Sequence, residues 1–475
     1  MTSLLIQNAT AILTGLTGDA ARHPGPDIRI VEGRIAAIGR LAVESGDRVL
    51  DATDCVIYPA WVNTHHHLFQ ALLKGEPQGI NTTLTPWLAA TPYRFRAGFD
   101  ADSFRLAARI GMIELALSGC ATIADHNYLY YPGQDYDPSA ILFDEAEKLG
   151  LRFVLCRGGA TLTRQLEAEL PQALRPESMA AYMADMERLA AKFHDPAPDA
   201  MRRVVMAPTT PPYSMQPDEL REAAAVARKL GLRLHSHLSE TVGYQDSVNA
   251  MHGLSPVRFC ESIGWLGDDV WFAHLVKLDP DEIALLGKTR TGIAHCPQSN
   301  GRLGSGIAPI RALAAAGVPI SIGVDGAASN EAADMISETH SAWLMQRAKG
   351  GEAAVAKYRG GAGEQGADWA TVEDVVRWGT AGGAAVLGLP AIGSLAVGQA
   401  ADIAIYDLSH NPRYFGLHDP AIGPVASGGT AHLRSLLVGG REIVRDGKLP
   451  DLDMAELAAR SREAVRTLIA RAEAA

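Results

Sequence analysis

Short β-rich runs alternate with helical ones from residue 56 to residue 325, and eight such runs can be read, at 56–64, 121–127, 151–158, 203–209, 232–238, 270–275, 292–296 and 318–325. Helical segments at 102–118, 216–230 and 307–316 are followed by Gly119, Gly231 and Gly317. Glycine just past a helix end readily takes the left-handed conformation that stops it. Eight βα units in a row predict an α/β fold, the (β/α)8 barrel, in which catalytic groups gather at the C-terminal ends of the strands.

The two ends of the chain have a different texture. LLIQNATAIL, DIRIVEGRIAAIG and RVLDATD are short strands joined by Gly and Asp turns, and GSLAVGQAADIAIYDL and LRSLLVGGREIVRDGKL repeat that pattern after residue 392. One small β-sandwich built from both termini is expected, and two separate hairpin appendages are the other arrangement the pattern allows. The domain reading is residues 1–58 as the first part of the sandwich, 59–390 as the barrel and 391–475 as the second part plus a C-terminal helix. Segment 371–387, closed by Gly388, reads as the last barrel helix, and 454–475 as a terminal amphipathic helix.

A chain of 475 residues that is 47% hydrophobic has material for a barrel of roughly 250 residues plus a second unit. Its net charge of −11, with no Lys/Arg-rich run, argues against nucleic acid or an anionic membrane as partner. A small, neutral or weakly charged substrate fits better. The five cysteines (Cys55, Cys120, Cys156, Cys260 and Cys296) are scattered and never form a CxxC pair, so they read as reduced core thiols. No apolar stretch approaches the ~20 residues of a membrane span, and the N-terminus has no basic start before its apolar residues. A cytoplasmic homo-oligomer, a dimer or larger, is expected.

The polar outliers fall at the ends of the expected strands. In WVNTHHHLFQ, His65 and His67 share one face of an extended segment while His66 points away. His237 ends the fifth strand, His274 the sixth and Asp325 the eighth. Three imidazoles and one carboxylate around one ion, with water completing the shell, make a catalytic site for Zn²⁺, with Fe²⁺ the alternative. His235 alternates onto the same face as His237 and is a second candidate ligand. His274 could be a core histidine, but at a strand mouth it suits a neutral imidazole bonded to the reacting water. Glu240, three residues past His237 in LHSHLSE, can reach substrate without ligating the ion and so can move protons. Asp325 could instead cap the following helix, but a fourth ligand would then be missing.

NTHHH, HSHLSE, FAH, CPQSN and GVDGAASN together resemble the amidohydrolase superfamily, in its guanine deaminase, cytosine deaminase and chlorohydrolase branch. The likeness runs over nearly the whole chain, and GSLAVGQAADIAIYDL and REIVRDGKL resemble that superfamily's sandwich. One departure is Ala60, where relatives often have Gly; it leaves the ligands untouched. The resemblance implies His65, His67, His237 and Asp325 as ligands, with Glu240, His274 and Asp325 as catalytic groups. Two-metal members use a lysine on the fourth strand, and none occurs between Lys192 and Lys229, so one metal is expected. Cys296, Ser299 and Asn300 read as packing around the seventh strand.

Metal-activated water beside a proton-shuttling Glu suits hydrolysis of an aromatic N=C–NH2 unit, because both the ring nitrogen and the departing amine need a proton. Triazine dechlorination would use the same activated water but has no amine to protonate, so Glu240 favours deamination while leaving that alternative open, and an inactive scaffold would not need the intact set. Gln70 matches the position where guanine deaminases bind the ring amide edge, and ADHNYLYYP and FVLCRGG resemble deaminases of 8-oxoguanine and of isoxanthopterin. Arg157 could bind a ring carbonyl or form a salt bridge across the rim. Trp87, Tyr93 and Phe95 in the 74–98 loop could form an aromatic lid, or pack, or meet another subunit.

Overall fold

The computed structural model describes residues 3–163, 172, 175–359, 369–450 and 452–474. Its centre is a single parallel sheet of eight strands: β1 (Trp61–Asn63), β2 (Cys120–Asn127), β3 (Arg152–Arg157), β4 (Arg202–Met206), β5 (Arg233–Leu238), β6 (Val270–His274), β7 (Gly292–His295) and β8 (Ile320–Ile322). They lie in sequence order, each paired in parallel with the next. The first and last strands then meet. Thr64 donates its N–H to the Ile322 carbonyl (3.1 Å), Asp325 donates its N–H to the His65 carbonyl (3.0 Å), and His66 bridges to Asp325. The residues that close the barrel therefore include two of the expected metal ligands, His65 and Asp325.

The run at 56–64, expected as one strand, is two. Cys55–Pro59 belongs to a terminal sheet, pairing with Ile403–Asp407 and Ala11–Leu13, and only Trp61–Asn63 is in the barrel. The chain changes sheets within one residue: Ala60 N–H bonds the Asp402 carbonyl (3.0 Å) and Trp61 N–H bonds the Gly119 carbonyl (3.0 Å).

Both termini build the same small β-structure, which excludes the separate hairpins. A four-stranded sheet (Arg34–Gly39, Asp27–Val31, Ser3–Gln7, Asp47–Asp51) faces a six-stranded one (Arg441–Arg445, His432–Val438, Ile403–Asp407, Cys55–Pro59, Ala11–Leu13, Arg22–His23). Alternate side chains of the six-stranded sheet serve different cores. Ile57, Ile403, Ile405 and Leu437 join Ile6, Ile28 and Ile30 between the two sheets, whereas Val56, Tyr58, Ala404, Tyr406 and Leu436 turn to the barrel. Strands apolar on both faces are what such a middle layer requires. A buried ion pair ties the layers together: Arg152 at the start of β3 grips both oxygens of Asp402 (2.7 and 3.0 Å).

The helix expected at 102–118 is Ala101–Leu117, begun by Asp100 in a capping box with Ser103. Gly119 follows at φ +93°, and a Cβ there would strike the hydroxyl of Tyr406. The segment 371–387 forms Val372–Arg377 and Gly383–Leu387 joined by a wider π turn. The C-terminal helix is Met454–Ala474, and its expected last residue, 475, lies outside the described residues. It buries Leu468, and Arg471 bonds the Gly98 carbonyl (2.7 Å) and Asp100 (2.8 Å), fastening the end of the long loop after β1. Among the described residues no helix is long and apolar enough to cross a membrane.

Candidate metal centre and active site

The closure of the barrel fixes where the imidazoles point. His67 and His237 each donate Nδ1–H to a backbone carbonyl, of His126 (2.7 Å) and Thr209 (2.6 Å). Their Nε2 atoms, left with lone pairs, face each other at 3.2 Å. His65 is set by a relay: His235 Nδ1–H bonds the Trp271 carbonyl (2.9 Å), so His235 Nε2 accepts from His65 Nδ1–H (2.8 Å). His65 Nε2 is then a buried acceptor with no hydrogen-bond partner among the described residues. His235, open as a ligand on periodicity alone, has both nitrogens engaged and orients His65. His66 points away, as the alternation required, accepting the His67 N–H on Nδ1 (2.8 Å).

Asp325 completes the cluster. Its Oδ1 lies 3.4 Å from His65 Nε2 and 3.2 Å from His67 Nε2, and Oδ2 accepts from Ser299 Oγ (2.6 Å). Donor atoms of His65, His67, His126 and His237 lie within 4.8 Å of one another, as do those of His65, His274 and Asp325. Burial holds His65, His126 and His237 well below the ordinary imidazole pKa, so they are neutral at pH 7. The ionised form of Asp325 is supported by two donors, Ser299 Oγ on Oδ2 and the Gly326 N–H on Oδ1 (2.8 Å). Converging lone pairs beside a carboxylate repel one another without a cation, so this donor set fits a divalent metal.

Glu240 stands beside the cluster, 6% exposed, its Oε1 accepting from Ser305 Oγ (3.1 Å) and its Oε2 3.7 Å from His274 Nε2. Burial raises its pKa above the glutamate norm. His274 Nδ1 accepts from Asn300 Nδ2 (3.3 Å), which leaves the proton on Nε2, the nitrogen nearest Glu240. Ser299 and Asn300, read from sequence as packing, thus hold Asp325 and His274 directly.

The expected substrate residues fare unequally. Gln70 donates to Tyr128 Oη (2.9 Å), and its buried Oε1 has no partner among the described residues. Gly326 is needed here, because a Cβ would collide with that amide. Trp87 is 4% exposed and donates its indole N–H to the Ala328 carbonyl (2.9 Å), bracing the turn after Asp325 from within the core. Arg157 is occupied by the protein: Glu177 takes both terminal nitrogens (2.6 and 2.7 Å), Asp185 takes Nε (3.0 Å), and the Tyr130 and Tyr182 rings pack against its guanidinium. The rim salt bridge is what forms, because a buried guanidinium needs counter-charge.

Sequence reasoning missed His126. It is the penultimate residue of β2, donates Nε2–H to the Ala207 carbonyl (2.8 Å) and has a buried Nδ1 with no partner among the described residues. A histidine at the C-terminal end of an apolar barrel strand was the available signal.

A (β/α)8 barrel with a buried His/Asp cluster at its strand ends, and a buried glutamate beside it, defines a metal-dependent hydrolase. Residues 56–437 match the model of the Amidohydrolase family. The chain belongs to that family and is a hydrolase acting on carbon–nitrogen bonds. It is 67% identical over 470 residues (98% of this chain, 97% of the relative) to an isoxanthopterin deaminase from an unknown prokaryotic organism. It is 38% identical over 471 residues (99% and 100%) to the 8-oxoguanine deaminase of Pseudomonas aeruginosa. Among solved structures, the atrazine chlorohydrolase of Arthrobacter aurescens complexed with zinc superposes with TM-score 0.86 at 28% identity, covering 97% of this chain and 100% of that one.

Proposed function

We propose that this chain is a one-zinc hydrolytic deaminase of a bicyclic 2-amino-4-oxo heterocycle carrying a further oxo group, isoxanthopterin first and 8-oxoguanine second. The observation that carries the reading is the full-length 67% identity to an isoxanthopterin deaminase, in a chain whose cluster adjoins a buried, proton-competent Glu240. His65, His67, His237 and Asp325 would hold the ion, which supplies a water acidified toward a pKa of about 7. Glu240 takes a proton from the attacking water and delivers it to the ring nitrogen next to the amine-bearing carbon. Once the C–O bond has formed, Glu240, ionised again, takes the remaining proton of the added hydroxyl and passes it to the amine, so that the C–N bond breaks, ammonia leaves and a ring carbonyl remains. His274, its Nδ1 satisfied by Asn300, donates Nε2–H into the same space and orients the water. Gln70 Oε1 accepts from the ring amide N–H.

The test is ammonia release from isoxanthopterin, pterin, 8-oxoguanine, guanine and cytosine, with chloride release from a chlorotriazine. Isoxanthopterin should be turned over with the highest kcat/KM. Activity confined to cytosine or the chlorotriazine would overturn the substrate reading and leave the hydrolase intact. The same reading carries a cytoplasmic homo-oligomer, to be checked by sedimentation equilibrium.

A further inference from the structure

We propose that Arg96, and not Arg157, receives the further oxo group of the substrate as an oxyanion, an inference that rests on the deaminase reading above. Arg157 has Nε and both terminal nitrogens on Glu177 and Asp185 and the Tyr130 and Tyr182 rings packed against its guanidinium, so approach by a ligand would have to break a buried ion pair. Arg96 is in the opposite condition. Its one side-chain hydrogen bond among the described residues runs from Nη2 to the Tyr130 carbonyl (2.8 Å), and its Nε is buried with no partner. No carboxylate among the described residues lies within ion-pair distance of it, whereas its neighbour Arg94 is paired with Glu76 (3.1 Å). The carboxylate whose charge it feels, Glu177, is committed to Arg157, and a partly buried guanidinium with no carboxylate in contact is costly unless an anion arrives to meet it.

Its position suits that anion. Arg96 sits among Tyr93, Tyr128 and Tyr131, at the end of the loop that follows β1. The Tyr128 ring lies 4.9 Å from the His67 ring, and its hydroxyl accepts from Gln70. Arg96 reaches the same segment two residues on, through its bond to the Tyr130 carbonyl. A fused bicycle with its amidine carbon at the cluster and its amide edge on Gln70 extends its second ring past Tyr128. An oxo group beside a ring N–H ionises to a delocalised O/N anion, and the planar guanidinium fork matches that pair of atoms. Arg471 and Leu468 of the C-terminal helix pin Gly98 and so keep the Arg96 backbone in register.

The experiment measures kcat/KM of Arg96→Met and Arg96→Lys on two matched pairs, isoxanthopterin with pterin and 8-oxoguanine with guanine, with metal content and circular dichroism as folding controls. Arg96→Met should lose roughly 10- to 100-fold more on the oxo-bearing member of each pair, the scale of a hydrogen bond to a charged group, and Arg96→Lys should recover part of it. Equal loss on both members, or none on either, overturns the proposal. A selective loss on the oxo-bearing members in Arg157→Met but not in Arg96→Met returns the role to Arg157. Wild-type protein inactive on all four compounds would refute the substrate reading and the Arg96 role together, while an active wild type with unselective Arg96 variants refutes only the latter.

Discussion

The Nε2 atoms of His67 and His237 face each other at 3.2 Å with both Nδ1–H groups committed to backbone carbonyls. Two lone pairs at that distance repel, and burial keeps His237 from supplying a bridging proton at neutral pH. A shared cation removes the conflict. His67→Ala should therefore strip the metal, taking elemental analysis from one divalent ion per chain to near zero. Two ions per chain in the wild type, or full occupancy in the variant, would count against this ligand set.

The relay from Trp271 through His235 to His65 carries a separate expectation. His235→Phe keeps an aromatic ring for the stack on Trp271 (4.5 Å between centroids) but removes the acceptor that fixes His65. Metal affinity should fall by about 10- to 100-fold, the usual effect of losing such an orienting partner, with the fold retained. Competition with a chromophoric chelator measures this, and unchanged affinity would show that His65 is held some other way.

Much of this was legible in the chain, for identifiable reasons. The ends of barrel strands are where polar residues interrupt apolar runs, so His65, His67, His237, His274 and Asp325 announced themselves. The split of 56–64 at Ala60 was not legible, because both halves are buried on both faces and a change of sheet leaves no mark in hydropathy. Arg157 and Arg96 looked alike as isolated arginines. What separates them is that Glu177 and Asp185, 20 and 28 residues after Arg157, fold back onto it, a pairing that exists only in three dimensions.

Glu240→Gln should keep the metal and lower turnover by roughly 100-fold or more. Because burial raises the Glu240 pKa, the acid limb of the wild-type kcat/KM profile should lie above the ordinary glutamate range: the carboxylate is the working form and is lost as pH falls through the raised value. The stability consequence has the opposite sense. A raised folded-state pKa favours the fold below the unfolded-state value, and that contribution fades as pH rises through the folded one. At neutral pH the variant should melt no lower than the wild type, and higher if the buried charge is a burden. A variant as active as the wild type would move the proton work to another group.

Asp402→Ala leaves the Arg152 guanidinium buried without its partner between barrel and sandwich. Unfolding in urea should show a loss of about 3–5 kcal/mol, the cost of breaking a buried pair by removing one member. A loss below about 1 kcal/mol, the range of an exposed pair, would mean that water reaches Arg152.

Titrating metal-free protein with zinc while following ammonia release from isoxanthopterin joins the metal to the chemistry in one curve. Activity should rise linearly and break sharply at one equivalent per chain. A break at two equivalents, or ammonia release that does not depend on added metal, would contradict a one-metal deaminase.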